Sequence, residues 1–418
     1  MGAGASCKND DTTEMEGSNN GGGDDIKNNG NMEKELNNKN ESKNQDDTKL
    51  LPNITFQSLA DINTDAFVLG DTKKSQEQVL NALFVDDKDK AYTLNGTTEN
   101  LIIFLTEVKQ GYLDAKFDGA FKSYHTFAHA LDVMLTCHCM LETGLGKNLL
   151  QPEERTALIL AAISHDVLHP GLSNPYFINT KHELAIKYNN IAVLEQQSID
   201  FVIPRCDKYE LFSSKEMQEF VRIPILYTDM AKHKEVMEKM AACHGEFLET
   251  LNKLREEKGL EKVDVGYTKK DEEAGINMSD VLSTEIRQLF ASLILHSADV
   301  SNPVKQFEYC ERWACCVMSE FFGQGDLEKK NELPVSMNCD RDTVSTPKCQ
   351  IGFGTFVIQG LYELLKKYLP EISDQYLENL KTNTERWKKE SELESGENGK
   401  KYEINLRLPS SENGGIAL

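Results

Sequence analysis

The sequence has no apolar run of the roughly 20 residues that a membrane-spanning helix requires. No apolar segment follows Met1, so we do not expect a secretory signal. A Lys/Arg-rich run is also missing, and the formal net charge of the 418 residues is −22. Because binding to nucleic acid relies on neutralising phosphates, this charge argues against such a partner. Without a secretory signal, we expect the ten cysteines to be reduced, buried thiols in the cytosol.

The apolar pattern between the two ends of the chain is helical. Residues 157–163 and 290–295 have the composition of buried helices, and residues 352–368 carry apolar side chains at helical spacing. We find no series of alternating strands separated by hairpin turns. The pattern therefore predicts an all-α fold, a compact multi-helix bundle around one large core.

Polar composition marks both ends of the chain. Residues 8–48 consist of Asn, Asp, Gly, Glu, Lys and Ser with almost nothing apolar. Such a segment cannot bury enough surface to offset the entropy lost on ordering. We predict a disordered acidic Asn-rich tail over residues 1–48, a linker over 49–75, the folded domain over 76–390 and a polar tail over 391–418.

The first six residues, Met1-Gly2-Ala3-Gly4-Ala5-Ser6, fit the N-myristoylation pattern, and Cys7 is placed for S-palmitoylation. One acyl chain binds membranes only marginally, and the acidic residues that follow provide no polybasic second signal. We therefore predict acylation of both Gly2 and Cys7, and a location on the cytoplasmic side of a membrane. The alternative is a chance match in a Gly/Ala-rich start, which leaves the protein in the cytosol.

Three short motifs concentrate histidine and aspartate. They are Tyr124-His125-Thr126-Phe127-Ala128-His129, His165-Asp166-Val167-Leu168-His169-Pro170-Gly171 and His296-Ser297-Ala298-Asp299-Val300-Ser301-Asn302-Pro303. Each motif alone is commonly structural, but together they hold five of the nine histidines. Imidazoles and carboxylates in this number are what a two-metal hydrolytic site needs. The combination predicts a metallohydrolase.

Histidine spacing suggests how these groups are used. Two pairs, His125 with His129 and His165 with His169, are spaced four residues apart, so each pair would share one face of a helix. Asp166 is suited to bridge two cations, with a bridging hydroxide as nucleophile. The predicted metal ligands, from three helices, are His129, His165, Asp166 and Asp299.

His125 is left over and is suited to general acid catalysis, because an imidazole titrates near neutrality. A carboxylate commonly holds and orients such a histidine. We predict that Glu195 has this role.

The three motifs resemble those of the class I cyclic nucleotide phosphodiesterases, and the resemblance covers roughly residues 75 to 390. It implies that a compact all-α catalytic domain cleaves the 3′ ester bond of cAMP or cGMP and yields the 5′-monophosphate. Further pieces that resemble this family are Leu184-Ala185, Tyr188-Asn189, Val193-Leu194-Glu195, Thr228-Asp229-Met230, Lys232-His233, Phe321-Phe322, Gly325-Asp326 and Gln350-Ile351-Gly352-Phe353.

The resemblance also implies roles for individual residues. Zinc would be held by the four predicted ligands, and magnesium, or manganese in its place, would share Asp166 and the bridging hydroxide. His125 would be the general acid, His169 would support the ligands from behind, and Asp229 would support metal-bound water.

A purine pocket is implied in the same way. Gln350 matches the glutamine that hydrogen-bonds the purine edge, and Phe353 and Val317 match the two halves of a clamp on the base. Phe321 and Tyr124 would line the pocket. An aromatic and an aliphatic face are physically suited to grip a flat purine.

Asn302 matches a position where asparagine is common in the cAMP-selective branches, so we expect cAMP as substrate. Its amide can offer a donor or an acceptor, and cGMP or both nucleotides are the alternative. Cys310 departs from the tyrosine that cAMP-selective members often carry. Neither Cys310 nor any other departure removes a predicted metal ligand or His125.

Two other functions remain open at this level. A different His-Asp metal-dependent phosphohydrolase would share the ligands without needing Gln350 and Phe353. An inactive scaffold that binds cyclic nucleotides would be favoured if a ligand or His125 were missing, which is not the case. We leave a homodimer open.

Overall fold

The computed structural model describes residues 54–71, 73–85, 92–395, 401–404 and 406. These residues fold into α-helices and short turns without a β-strand, which confirms the predicted all-α class. No helix in these ranges is both long and apolar enough to cross a membrane. The tail predicted over 1–48, with Gly2 and Cys7, lies outside the described residues.

The helices vary from single turns to rods of more than 20 residues. Short 3₁₀ turns join several of them, and a π-helical turn, Gly354–Ile358, connects α14 to α15. The described α-helices are α1 Ala66–Asp71, α2 Lys73–Phe84, α3 Thr98–Asp114, α4 Phe127–Glu142, α5 Pro152–Ser164, α6 Asn174–Asn179, α7 Glu183–Lys187, α8 Val193–Lys208, α9 Glu219–Leu226, α10 His233–Glu257, α11 Lys269–Glu273, α12 Thr284–Asp299, α13 Phe307–Lys330, α14 Thr346–Phe353, α15 Gln359–Lys366 and α16 Pro370–Ser395.

The centre of the fold is formed by helices that are buried on all sides. In α5 every residue from Thr156 to Ser164 is buried, and in α4 every residue from Phe127 to Leu141 is buried. A helix without an exposed face must be surrounded by other helices. Accordingly α5 packs against α4, α9 and α12, and α12 also packs against α4 and α10.

A buried ion pair joins the starts of α5 and α12. Glu154 closes a capping box at the start of α5, where its side chain accepts a hydrogen bond from the Gln151 backbone at 2.8 Å. Arg287, in the second turn of α12, donates its Nε to both carboxylate oxygens of Glu154 at 2.9 Å. The two helices are therefore fixed to each other at the ends opposite to the histidine and aspartate motifs.

Parts of the predicted linker and polar tail are packed in the structure. Phe56, Leu59 and Ile62 belong to the main core cluster, although we expected residues 49–75 to be a linker. At the other end, the ring of Tyr402 contacts Trp387 edge-on with a centroid separation of 5.5 Å. These segments pack although most of their residues are polar, because a few apolar side chains are enough to attach a polar segment to the surface of the folded domain.

The π-helical turn Gly354–Ile358 lies directly after Phe353, which belongs to the predicted purine clamp. A π turn places one additional residue in the helix and often occurs at functional sites. Within it, Phe356 is 86% exposed, whereas Ile358 is buried.

We expect Glu154→Ala to lower the free energy of unfolding by about 3 to 5 kcal/mol, because it leaves the Arg287 guanidinium without its buried partner. Urea unfolding of the wild type and the variant, monitored by circular dichroism, measures the difference in the free energy of unfolding. Glu238→Ala is the matched control, since it removes a surface pair with Lys234 and should cost no more than about 0.5 kcal/mol. An equal loss in both variants would contradict the role given to the buried pair.

Candidate active site

The two histidine pairs do not share helix faces, so that part of the sequence prediction is wrong. Helix α4 begins at Phe127, so His125 precedes the helix. Thr126, which separates His125 from the first helical residue, has an extended backbone. Helix α5 ends at Ser164, and His169 follows in the next turn. The functional groups thus lie at helix ends, where the backbone can change direction.

The turn after α5 carries backbone strain and is held from two sides. Leu168 adopts a φ of 68°, in the left-handed region that non-glycine residues rarely occupy. The Asp166 backbone N–H donates to the hydroxyl of Tyr112 at 3.1 Å. The Ser198 hydroxyl donates to the Val167 carbonyl at 2.9 Å. These contacts fix the direction in which Asp166 and His169 point.

The structure brings the four predicted ligands together. One ligand atom of each lies within 4.8 Å of the others, and both histidines are buried; the four residues are His129, His165, Asp166 and Asp299. Nε2 of His129 is 3.0 Å from Oδ1 of Asp299. Nε2 of His165 is 3.0 Å from Oδ2 of Asp166 and 3.3 Å from Oδ1 of Asp299.

This donor set fits a divalent cation. The Nδ1–H of His165 donates to the Ala162 carbonyl at 2.8 Å, which leaves the lone pair of Nε2 facing the carboxylates. Nε2 of His165 forms no hydrogen bond with a described residue, although one carboxylate oxygen of Asp166 and one of Asp299 lie within 3.3 Å of it. A lone pair against two anionic oxygens is repulsive, and a cation between them removes the repulsion.

Burial raises the pKa of Asp166 and Asp299, but positive charge on the neighbouring His165 lowers both pKa values well below their usual range. A cation at the cluster would lower them in the same way and would leave His165 neutral, with the Nε2 lone pair as a ligand. Two carboxylates and two imidazoles are a ligand combination suited to zinc and to harder divalent cations.

Glu320, and not Glu195, holds His125. Nδ1 of His125 forms a short hydrogen bond with Oε1 of Glu320. Oε2 of Glu320 accepts the backbone N–H groups of Ser123 at 3.1 Å, Tyr124 at 2.9 Å and His125 at 3.2 Å. The prediction that Glu195 orients His125 is therefore wrong, because the carboxylate comes from α13 and fixes both the ring and its backbone.

This contact controls the charge of His125. Burial lowers the pKa of His125, but the Glu320 carboxylate more than offsets this, and the pKa is raised to about 9. Burial raises the pKa of Glu320, yet His125 lowers it to about 2. With Nδ1 committed to Glu320, Nε2 is the ring nitrogen available to donate a proton to a molecule in the adjoining cavity.

His169 stacks on His125 with a centroid separation of 3.7 Å and an interplanar angle of 23°. Its Nδ1 accepts the Gly171 N–H at 3.1 Å. Burial and the charge of His125 lower the pKa of His169 to about 3, so it is neutral. Thus His169 supports the position of His125 by packing, without adding a second charge.

Glu195 faces the same cavity from another side. Its Oε2 accepts the side-chain N–H of Asn174 at 2.9 Å, and Oδ1 of Asn174 accepts the Leu194 N–H at 3.0 Å. Burial, together with the charge of Asp229, raises the pKa of Glu195 to about 7. Asp229 also caps the next 3₁₀ turn by accepting the Ala231 N–H at 3.0 Å. The cavity therefore has an acidic wall beyond the four ligands.

The predicted purine-binding residues line one cavity of about 320 Å³, together with His125, Asp166 and Asp299. Helix α13 contributes Val317 and Phe321, helix α14 contributes Gln350 and Phe353, and the turns contribute Tyr124 and Asn302. The volume is in the range of small-molecule sites. The side-chain N–H of Asn302 donates to the hydroxyl of Tyr124 at 2.6 Å.

Sequence reasoning missed Glu320 and Asn174. For Glu320 a signal was present, because a carboxylate in the apolar stretch from Cys315 to Phe322 is seldom buried without a partner. No comparable signal marks Asn174, since an asparagine before a proline is also a common helix start.

The sequence profile of the 3'5'-cyclic nucleotide phosphodiesterase family matches residues 124–380. The chain is 32% identical over 271 residues to 3',5'-cyclic-AMP phosphodiesterase 4C of Mus musculus, covering 63% of this chain and 36% of the relative. It is 33% identical over 269 residues to the dual specificity calcium/calmodulin-dependent 3',5'-cyclic nucleotide phosphodiesterase 1B of Rattus norvegicus, covering 63% of this chain and 44% of the relative.

The chain thus spans between about a third and a half of the length of these curated relatives. Among solved structures, it is similar to the phosphodiesterase domain of the RhoPDE fusion protein from the choanoflagellate Salpingoeca rosetta. The TM-score is 0.62 and the identity is 26%, with 79% of this chain and 95% of that chain covered. Since the profile match covers more than half of the residues and includes all four clustered ligands, the chain belongs to the 3'5'-cyclic nucleotide phosphodiesterase family.

Proposed function

We propose that this protein hydrolyses 3',5'-cyclic nucleotides to 5'-monophosphates. The observation that carries the proposal is the position of His125, held by Glu320, beside the four-ligand cluster and at the edge of a purine-sized cavity. A phosphodiester hydrolase needs a site for cations, a proton donor for the leaving oxygen and a surface for the base, and one cavity provides all three.

Divalent cations at the cluster supply charge neutralisation at phosphorus and an activated water. We propose zinc at His129, His165, Asp166 and Asp299, with magnesium or manganese sharing Asp166. Harder cations prefer oxygen ligands and retain water, and the acidic wall formed by Glu195 and Asp229 is suited to accept hydrogen bonds from such water. This assigns Glu195 to water binding in place of the His125 contact.

His125 completes the reaction. The oxygen of a hydroxide, formed from a water that has lost one proton to solvent, forms a new bond to phosphorus while the bond from phosphorus to O3′ breaks. His125 transfers the proton on its Nε2 to O3′, which leaves as a hydroxyl group. Because Glu320 raises the pKa of His125 to about 9, the ring carries this proton at neutral pH.

The polar wall of the cavity supports cAMP as the preferred substrate. Nδ2 of Asn302 is committed to the Tyr124 hydroxyl, while Oδ1 of Asn302 has no hydrogen-bond partner among the described residues. This oxygen has no accessible surface in the present rotamer, so the Asn302 side chain would have to turn before the acceptor could meet the N6 amino donor of adenine, which it suits better than the O6 acceptor of guanine. Relatives named for cAMP and for dual specificity are both similar to the chain, so the ratio has to be measured.

We also propose that Gly2 and Cys7 are acylated and place the enzyme on the cytoplasmic face of a membrane. Support comes from the sequence pattern at Gly2 and from the adjacent thiol, because two acyl chains are needed for stable anchoring.

Purified protein with Mg²⁺ should hydrolyse cAMP with a higher kcat/KM than cGMP, and His125→Ala should lower kcat by roughly 100-fold or more, since it removes the general acid. Product formation measured for both nucleotides in parallel checks this. No turnover of either nucleotide by protein that contains zinc would favour the inactive scaffold or another phosphate ester.

Glu320→Gln should lower kcat by roughly 100-fold and move the alkaline limb of the pH–rate profile to lower pH. The negative charge of Glu320 raises the pKa of His125, so its loss lets the ring lose its proton at a lower pH. Glu195→Gln is the control, because it should leave the position of that limb unchanged. The same shift in both variants, or none in Glu320→Gln, would contradict the assignment of Glu320.

Labelling of cells with alkynyl myristate and alkynyl palmitate should mark the wild-type protein with both probes. Gly2→Ala should lose the myristate label, and Cys7→Ser should lose the palmitate label and shift most of the protein from the membrane to the soluble fraction, because one chain binds weakly. A membrane fraction that is the same for all three proteins would contradict anchoring by acylation.

A further inference from the structure

Glu328, in the last turn of α13, is a buried acidic residue that holds the segment following the helix. It is 1% exposed. Its Oε2 accepts the backbone N–H of Ser336 at 2.7 Å, and its Oε1 accepts the Ser336 hydroxyl at 2.6 Å and the side-chain N–H of Gln324 at 2.8 Å. All three groups can donate, which is what a buried carboxylate requires. Glu328 therefore binds both the backbone and the side chain of Ser336.

A second buried side chain on α13 braces Glu328. Gln324 lies one helical turn earlier and is 2% exposed. Besides the contact with Glu328, its Nε2 donates to the Ser173 hydroxyl at 3.0 Å, and its Oε1 accepts the Ser173 backbone N–H at 2.9 Å. These partners fix the orientation of the amide. Because Ser173 directly precedes Asn174, which holds Glu195, the Glu328 side chain is connected to the acidic wall of the cavity.

The segment that Glu328 holds contains a tight turn over residues 336–339. The Cys339 N–H donates to the Ser336 carbonyl at 3.1 Å. Asn338 adopts a φ of 65°, a left-handed value that asparagine tolerates better than most residues. Cys339 lies so close to α13 that a Cβ at Gly325 would collide with its carbonyl oxygen. The turn is thus attached to α13 at both ends, by Glu328 and by the contact at Gly325.

This turn brings Asn338 to the wall of the cavity. Asn338 lines the cavity together with Gln350, whereas the described lining residues include neither Glu328 nor Ser336. The neighbouring Met337 is 87% exposed, so its side chain does not hold the turn by packing. The position of Asn338 therefore depends on hydrogen bonds to a residue that does not itself line the cavity.

We propose that Glu328 is a positioning residue for substrate binding, which acts by holding the turn 336–339 and thereby Asn338 in the cavity wall. The inference rests on the proposed function, because it concerns the same cavity. Asn338 belongs neither to the cluster of metal ligands nor to the pair of His125 and Glu320. Loss of its position therefore weakens substrate binding, measured by KM, more than the chemical step, measured by kcat.

The first test is steady-state hydrolysis of cAMP by the full-length protein with Mg²⁺. Glu328→Gln keeps the size of the side chain but turns one acceptor into a donor, which then faces another N–H or O–H group. We expect KM to rise roughly 10-fold while kcat stays within about threefold of the wild type. Ser336→Ala should raise KM less, because the backbone N–H contact with Glu328 remains. Adding it to Glu328→Gln should give no further rise, since both changes act on one contact.

The second test follows the turn itself and needs no catalysis. Cys339 is 4% exposed and Cys206, in α8, is 2% exposed, and burial raises the pKa of both thiols to about 12. An alkylating reagent therefore modifies either thiol only after local opening. Glu328→Gln should speed the alkylation of Cys339 roughly 10-fold, measured by peptide mass spectrometry. Cys206 is the internal reference and should react at the wild-type rate.

Glu154→Gln is the matched control, because it changes another buried acidic side chain, at the start of α5. It should leave both KM and the alkylation rate of Cys339 at their wild-type values. A rise in KM that Glu154→Gln shares with Glu328→Gln would overturn the proposal, since it would report lower stability and not the position of the turn.

A folded Glu328→Gln variant with the wild-type KM, or with Cys339 as protected as in the wild type, would also overturn the proposal and would leave the proposed function intact. If Glu328→Gln does not fold, Ser336→Ala decides by the same two measurements. A wild-type protein that hydrolyses neither nucleotide would contradict the proposed function, and the alkylation rate of Cys339 would then decide whether Glu328 holds the turn.

Discussion

The repulsion between two partly buried carboxylates, Asp166 and Asp299, sets the main requirement on this structure. Holding anionic oxygens close together away from bulk water is costly unless positive charge lies between them. Rigid support holds the two groups in place, since Asp166 follows α5, which is buried from Thr156 to Ser164, and Asp299 ends α12, which is buried from Phe290 to Ala298. A softer scaffold would let the groups separate, and the cluster would lose its ability to select a cation by geometry.

Glu320 is a further carboxylate, on the other side of the cavity. Its side chain is buried, and three backbone N–H groups and the ring of His125 stabilise its negative charge by hydrogen bonds. Because Glu320 lies on α13 between Val317 and Phe321, one helix positions both the proton donor and part of the base-binding surface. A movement of α13 would therefore affect chemistry and recognition together, a coupling that separate elements would not produce.

The sequence predicted the all-α class, and the buried helices over 157–163 and 290–295 lie within α5 and α12. It also named the residues that the structure clusters, because imidazole and carboxylate side chains have few other reasons to occur together in apolar surroundings. The prediction that each histidine pair shares one helix face was wrong, because the backbone conformation of single residues decides where the helices begin and end. The left-handed Leu168 and the extended Thr126 place His169 and His125 outside the helices, and no periodicity encodes such single-residue deviations. The partner of His125 was missed because Glu320 is about 195 residues away in the chain and only tertiary packing brings them together.

The π turn at Gly354–Ile358 has a consequence for how the base-binding surface can vary. One additional residue in a helical rod rotates everything before it by about 100° relative to everything after it. Gln350 and Phe353 therefore face the cavity in a register that is independent of the register in which α15 and α16 pack. Deleting one residue from this turn would give a regular helix that still satisfies its backbone, yet it would rotate the purine-contacting side chains away from the cavity. Related chains can thus tolerate substitutions in this turn more readily than changes in its length.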